Sequence, residues 1–307
     1  MRRAAVTGAR GLIGRHIAKY LLEEGWHVRT LSRSKNGVIL HPNLQSFVGD
    51  IKNNETLEEL IDGVDAIFHC AAELHDEVKM FDVNVNGTAT LLKVVKQTPT
   101  IKYFCHLSSA GVIGPTTRLR VDEDSLCAPN NMYEKTKHEA EKLVFNAGLD
   151  MSVCVLRPAN VFDMNKPGLL SYALNDSVMN KLSVFLKGNE GAHLVHAKDV
   201  AAAAIFFIDK KLVKPEAFFL SYDSDERNTV LGVYKLCCAQ RAEGKVNTLW
   251  SLPSFIPYMI RRVRKGVSLH GHTRFSGKKL ADAGFVFPMG LEASIVDVCR
   301  IDKANKS

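Results

Sequence analysis

The chain lacks any run of the roughly 18 consecutive apolar residues that a membrane-spanning helix needs, which excludes that class of fold from the reading. Its N-terminus reads as a buried strand, without a charged leader, apolar run and cleavage site, so a cytoplasmic location is expected. Cysteine is sparse. Seven occur (Cys70, Cys105, Cys127, Cys154, Cys237, Cys238, Cys299), an odd and scattered set with no Cys-x-x-Cys spacing. Reduced packing thiols are expected of them, with neither disulfides nor a metal centre. Helix-turn-helix, zinc-finger and RNP-type patterns are missing too, so the net charge of +7 does not point to nucleic acid. Internal repeats and low-complexity tracts are absent.

What the chain does have is an ordinary globular balance, 46% apolar over 307 residues, enough to bury a large α/β core. Strand-like apolar runs at 3–7, 28–32, 44–48, 66–69, 103–108, 152–157 and 193–196 alternate with helix-period segments at 55–61, 84–97, 133–147 and 200–208. Continuous apolar strands separated by helices imply a parallel sheet covered on both faces, with ligands bound beyond the carboxyl ends of its strands. The alternation breaks after Phe162. Residues 163–190 carry loop signals, and those after about 214 are mixed and interrupted by Pro215, Pro253, Pro257 and Pro288.

The most informative local feature is Gly8-x-x-Gly11-x-x-Gly14 between the first strand and an amphipathic helix. Gly8 permits the tight turn, Gly11 lets backbone approach a pyrophosphate, and Gly14 lets the helix pack close to the sheet. The phosphates then lie at a helix N-terminus, where unpaired N–H groups and the dipole favour an anion. The expected fold is therefore α/β, a Rossmann-type doubly wound parallel sheet with a smaller mixed C-terminal substrate region. Residues 1–162 plus 191–213 form the dinucleotide-binding domain in this reading, and 163–190 plus 214–307 the substrate-binding region.

Charge bears on the cofactor. The second strand ends Leu31-Ser32-Arg33-Ser34, with no carboxylate to take a ribose 2′-hydroxyl, and Arg10 lies inside the glycine turn. Two cations suit a 2′-phosphate dianion, which favours NADP(H); NAD stays open.

Tyr133 and Lys137 are four apart on a helix and share a face. A phenol with an ordinary pKa of about 10 is a poor base at neutral pH, and a neighbouring ammonium favours the phenolate. Such a pair can exchange a proton with a substrate hydroxyl or carbonyl. Ser108-Ser109 ends a strand, Ser109 standing 24 residues before Tyr133, and a serine there can hydrogen-bond the reacting oxygen.

In register with these residues, the chain resembles the extended short-chain dehydrogenase/reductase family, the NAD(P)-dependent sugar epimerase/dehydratase group. The landmarks run in family order: the glycine turn, Gly49-Asp50-Ile51, Val64-Asp65-Ala66-Ile67-Phe68-His69-Cys70-Ala71-Ala72 and Asn84-Val85-Asn86-Gly87-Thr88. Leu107 to Gly114, Tyr133-x-x-x-Lys137, Leu156-Arg157-Pro158-Ala159-Asn160-Val161-Phe162 and His196-Ala197-Lys198-Asp199-Val200-Ala201 complete the series. The resemblance implies Ser109, Tyr133 and Lys137 as catalytic residues, with Ser109 and Asn160 on the substrate. It implies cofactor contacts at Gly8, Arg10, Gly11, Leu12, Ile13, Gly14, Arg33, Asp50, Ile51, Ala71, Ala72, Asn84, Ser108, Tyr133, Lys137 and Ala159. Asn84 would also steady the central strands. A turn-forming role for Asp50 and a loop-capping one for Asn160 are the plain alternatives.

The expected activity is oxidoreduction at a hydroxyl/ketone centre, either net reduction or epimerisation through a transient ketone. Dehydration is disfavoured, because Ala110 and Gly111 follow Ser109 where resembling dehydratases carry an acidic pair. The expected substrate is a nucleotide-activated sugar, a 4-keto-6-deoxy sugar above others. An uncharged ketone, as in the flavonol-reductase and hydroxysteroid branches, is the alternative, and a non-catalytic NADP-binding regulator a further one. The run Arg261-Arg262-Val263-Arg264-Lys265 reads as a solvated helix face or a contact for a substrate phosphate, with peripheral membrane contact a minor option. His69, His106 and His196 read as structural strand-end histidines, and a homodimer is the family habit.

Overall fold

The structure, a computed structural model, describes residues 1–34, 41–175, 177–241, 251–253, 255–265 and 271–304. The side chains of 241, 261, 264, 265 and 300–304 also lie outside the description, so most of the basic run at 261–265 is placed by its backbone alone.

In chain order the elements are β1 (Arg3–Thr7), α1 (Gly14–Glu23), β2 (His27–Ser32), β3 (Leu44–Val48), α2 (Asn54–Ile61), β4 (Ala66–His69), α3 (Glu77–Phe81), α4 (Gly87–Lys96) and β5 (Tyr103–Leu107). They continue as β6 (Arg120–Val121), α5 (Met132–Phe145), β7 (Ser152–Pro158), β8 (Asn160–Phe162), α6 (Ser171–Leu174), α7 (Val178–Lys187), β9 (Leu194–His196), α8 (Ala197–Phe206) and β10 (Glu216–Leu220). The last are α9 (Val230–Arg241), α10 (Phe255–Lys265), β11 (Arg274–Phe275), α11 (Lys278–Asp282) and α12 (Gly290–Ala304).

Seven strands make one sheet in the order β10-β7-β5-β4-β1-β2-β3. The pairings of β1 with β2 and β4, β2 with β3, β4 with β5, and β5 with β7 are all parallel. Strand order reverses between β1 and β4, where Thr7 stands opposite His69. Ligands of such sheets bind at that reversal. The central strands are apolar along their length (Ala4-Ala5-Val6, Ile67-Phe68, Val153-Cys154-Val155) because both faces are covered. Leu57, Leu60 and Ile61 of α2 and Leu91, Val94 and Val95 of α4 sit at helical spacing and join Ile67, Phe104 and Val155 in one core.

Three elements depart from the pattern read in the sequence. The helix expected from Asn84 starts earlier, at Glu77, where the Asp76 carboxylate accepts the N–H groups of Val78 and Lys79. It then passes through a wider π-type turn over Asp82–Asn86 before α4. The run at 193–196 joins β8 in a separate parallel pair rather than the main sheet. His193 has φ of 50°, a left-handed conformation that ends the extended backbone before β9. The seventh strand of the main sheet is β10, in a stretch that reads as mixed because Pro215 precedes it.

The chain divides into two compact units. The first comprises 1–112, 129–157 and 200–218; the second 113–128, 158–199 and 219–307. Two buried carboxylates organise the second unit. Asp223 accepts hydrogen bonds from His193 Nδ1 (2.7 Å), Asn228 Nδ2 (2.9 Å) and the Phe275 amide (2.8 Å). Asp199 accepts from the Tyr222 hydroxyl (2.6 Å) and from the amides of Met289 and Gly290 that open α12 (3.0 Å each). Asp199 of the His196–Ala201 landmark is thus a helix cap and a tyrosine anchor.

Candidate active site

The turn from β1 into α1 is built for glycine. Gly8 has φ of 66°, and a Cβ there would fall 2.7 Å from backbone atoms of Cys70 and Ala71. A Cβ on Gly14 would collide with the Gly8 carbonyl oxygen. The Gly11 amide closes the turn on that same oxygen at 2.9 Å. Leu12 and Ile13 lead into the helix, and Ile13 at its cap position offers no side-chain acceptor. By contrast Asn53, Asn131 and Ser177 cap α2, α5 and α7. The Arg15 and His16 amides bond the Gly11 and Ile13 carbonyls (3.2 and 2.9 Å), no side chain covers this helix end, and a diphosphate fits against the glycine turn at the positive end of the helix dipole.

Arg10 Nη1 donates to Ser34 Oγ at 2.8 Å, which draws it toward the end of β2 and its neighbour Arg33. Arg33 lies 3.9 Å from Glu73, whose carboxyl is held below its usual range mainly by the backbone N–H of His75, with Asp76, Leu74 and Arg33 assisting. Arg33 is 77% exposed, so this contact leaves it accessible. Asp50 accepts the Lys52 amide at 2.9 Å and forms a turn, while Ile51 is buried in the core with Leu57 and Leu91.

After β4 the chain passes Ala71 and Ala72 into a loop held by Asn84. Asn84 Oδ1 accepts the Glu73 amide (2.7 Å), and its Nδ2 donates to the Glu73 carbonyl and to Thr136 Oγ1 (3.1 Å each). Asn84 is 2% exposed, and these bonds occupy its amide. It acts in the structure as a clamp between the loop and α5.

Helix α5 carries Tyr133 in its first turn and Lys137 one turn on. Asn131 and Glu134 form a reciprocal capping box that fixes where the helix starts. Ser109, just past β5, accepts the Gly111 amide at 3.1 Å and lies beside the Tyr133 phenol. Burial holds that phenol above its ordinary value of 10, and the Ser109 hydroxyl acts the other way. Lys137 is 3% exposed and donates to the Leu107 carbonyl oxygen. Desolvation brings its ammonium down to about 8. The lowering of Tyr133 expected from Lys137 is not what this geometry gives: Nζ turns inward, and its charge acts on His69, Cys70 and His106. Ser108 is buried with a hydroxyl that has no partner among the described residues.

Ala159 and Asn160 belong to the second unit. The Ala159 amide donates to the Leu220 carbonyl (3.0 Å), and Asn160 Nδ2 to the Ala192 carbonyl (2.8 Å).

Sequence reasoning missed a buried hydrogen-bond chain beneath the site. His69 Nδ1 bonds Thr7 Oγ1 (2.8 Å), and its Nε2 bonds Thr88 Oγ1 (2.9 Å). Thr88 donates to the Asn84 carbonyl (2.6 Å), and Asn84 reaches Thr136, whose hydroxyl donates to the Tyr133 carbonyl (3.0 Å). It joins the nucleotide turn to the tyrosine helix. Threonines at 7, 88 and 136 leave no spacing signal, since each sits on a different element.

A parallel sheet reversing beside a glycine turn, with a Ser-Tyr-Lys set on the following elements, defines a dinucleotide-dependent short-chain oxidoreductase architecture. A family model described as the NAD dependent epimerase/dehydratase family matches residues 4–220, more than half of the chain, and the chain belongs to that family. It is 32% identical over 174 residues to a 3-beta-hydroxysteroid dehydrogenase of Mycolicibacterium neoaurum, covering 52% of this chain and 48% of that one. The chain thus spans about half the length of this relative. In fold it is similar to a dTDP-glucose 4,6-dehydratase from Bacillus anthracis solved with NAD, at a TM-score of 0.76 and 21% identity, over 100% of this chain and 98% of that one. It is also similar to a UDP-glucose 4-epimerase from Thermotoga maritima solved with UDP-glucose, at 0.73 and 20%, over 99% of this chain and 100% of that one.

Proposed function

We propose that the protein is an NADP(H)-dependent oxidoreductase that reduces, or epimerises through a keto intermediate, a nucleotide-activated sugar. The observation that carries this reading is the placing of Ser109 beside the Tyr133 phenol, with the buried Lys137 one helical turn away. A phenol held above its ordinary value is protonated at neutral pH, so Tyr133 is poised to give a proton to a carbonyl oxygen, the reductive direction. Ser109 orients that oxygen, and Lys137 supplies positive charge at the base of the site. The glycine turn and the uncapped N-terminus of α1 would hold the dinucleotide's diphosphate, and Arg10 and Arg33 its 2′-phosphate. The nicotinamide group supplies or accepts the hydride when bound.

Substrate choice is assigned to residues 163–190 and 214–307 together with Asn160, and the working form to a cytoplasmic homodimer. The fold match to sugar-nucleotide enzymes along the full length of both chains supports the sugar reading. The identity to a hydroxysteroid dehydrogenase favours, as a second reading, an uncharged ketone.

The test is NADPH oxidation by the purified protein against a panel of 4-keto-6-deoxy nucleotide sugars and steroid ketones. Turnover with a nucleotide sugar, lost in Tyr133→Phe while cofactor affinity is kept, is expected. Turnover confined to steroid ketones selects the second reading, and full activity in Tyr133→Phe overturns the mechanism.

A further inference from the structure

Helices α7 and α10 of the second unit present apolar side chains outward in stripes. On α7, Val178 (82% exposed), Met179 and Leu182 lie outside, while Val184 faces the core. On α10, Phe255, Met259 and Val263 (83% exposed) repeat every four residues along one face, while Tyr258 is buried. Single exposed apolar residues are commonplace, but two helices each showing a stripe mark an interaction surface. The two are tied together: the Leu252 amide, just before α10, donates to the Phe185 carbonyl at 2.8 Å, and Asn189 Nδ2 donates to the Leu252 carbonyl at 3.0 Å.

Charge narrows the occupant. Between them the two helices carry six basic residues (Lys181, Lys187, Arg261, Arg262, Arg264, Lys265) and no aspartate or glutamate. A second copy meeting this face across a twofold axis would bring like charges together, so self-association through it is disfavoured. Apolar stripes on helices rich in cations and free of carboxylates match the boundary of an anionic bilayer, where acyl chains take the apolar side chains and headgroups the cations. We propose that α7 and α10 dock the protein reversibly onto an anionic lipid surface. No described helix is long and apolar enough to cross a membrane, and this contact requires none. It raises the minor option of the basic run at 261–265 to the leading one.

The experiment is flotation of the full chain with vesicles of phosphatidylcholine and phosphatidylglycerol in equal parts, against phosphatidylcholine alone. Binding at least about tenfold stronger to the anionic vesicles, and weakened by salt, is expected. Phe255→Ser with Val263→Ser, and separately Val178→Ser with Met179→Ser, abolish it, and Arg262→Glu weakens it. These positions are exposed, so the melting temperature stays at the wild-type value. Equal binding to both vesicle types, no binding, or binding indifferent to the serine variants overturns the proposal. So does a concentration-dependent dimer that the same serine variants dissociate.

Discussion

Glu141, on the helix that carries Tyr133 and Lys137, meets Arg157 of β7 in a two-point ion pair, Nε to Oε1 at 2.9 Å and Nη2 to Oε2 at 2.8 Å. Both side chains are buried. The pair fastens α5 to the sheet one turn beyond Lys137. Because both charges are desolvated, losing one partner strands the other. Glu141→Gln is expected to cost about 3–5 kcal/mol in urea denaturation. Leucine at both positions should recover most of that stability while kcat stays low, since the helix loses its anchor. A loss below about 1 kcal/mol for the single variant would show the pair to be an incidental contact.

Lys137 should leave a mark on alkaline stability. An unfolded lysine keeps its proton to about 10.5, whereas in the fold it titrates at about 8. Between those values the unfolded chain binds more protons, so stability rises with pH across that window. Denaturation without added dinucleotide, from pH 7 to 11, should show a rise in the wild type that Lys137→Met lacks. Identical slopes for the two proteins would mean that the ammonium is solvated.

His69 gives a signature of the same sign in acid. Burial, with Lys137 adding to it, lowers its pKa to about 3 from the ordinary 6.5. The unfolded chain takes up the proton first, so stability falls as pH drops from 6.5 toward 3. His69→Gln should flatten part of that acid slope. It should also lower kcat more than it raises KM, because the bonds to Thr7 and Thr88 align the tyrosine helix with the nucleotide turn. An unchanged kcat would confine His69 to packing.

The proposed preference for NADP(H) rests on Arg10 and Arg33. Hydrogen bonds to charged groups contribute about 1.5–3 kcal/mol, so Arg33→Ala should raise the KM for NADPH roughly tenfold to a hundredfold. The KM for NADH should hardly move. Arg10→Ala should act in the same direction, and its loss also frees Ser34. Equal effects on both cofactors would assign the arginines to the diphosphate common to them.

Much of this architecture is legible in the chain because it follows local rules. The glycine spacing marks the strand-to-helix turn, since only glycine tolerates a φ of 66° with backbone 2.7 Å from a Cβ. β1, β3 and β4 stand where their apolar runs end, and a four-residue interval puts Tyr133 and Lys137 on one face. The run at 193–196 misled because a three-residue strand carries no sign of which sheet it joins; His193's left-handed backbone separates it from what precedes.

Sequence alone determined the glycine turn, the apolar strand runs and the four-residue interval of Tyr133 and Lys137, all of which depend on neighbours a few residues apart. Only the tertiary structure decided where Lys137 points, what Asn84 and His69 hold, and which faces of α7 and α10 stay uncovered. Each of those outcomes is set by groups dozens of residues away along the chain. Hydrogen bonds and burial between such groups exist only once the sheet has brought their elements together.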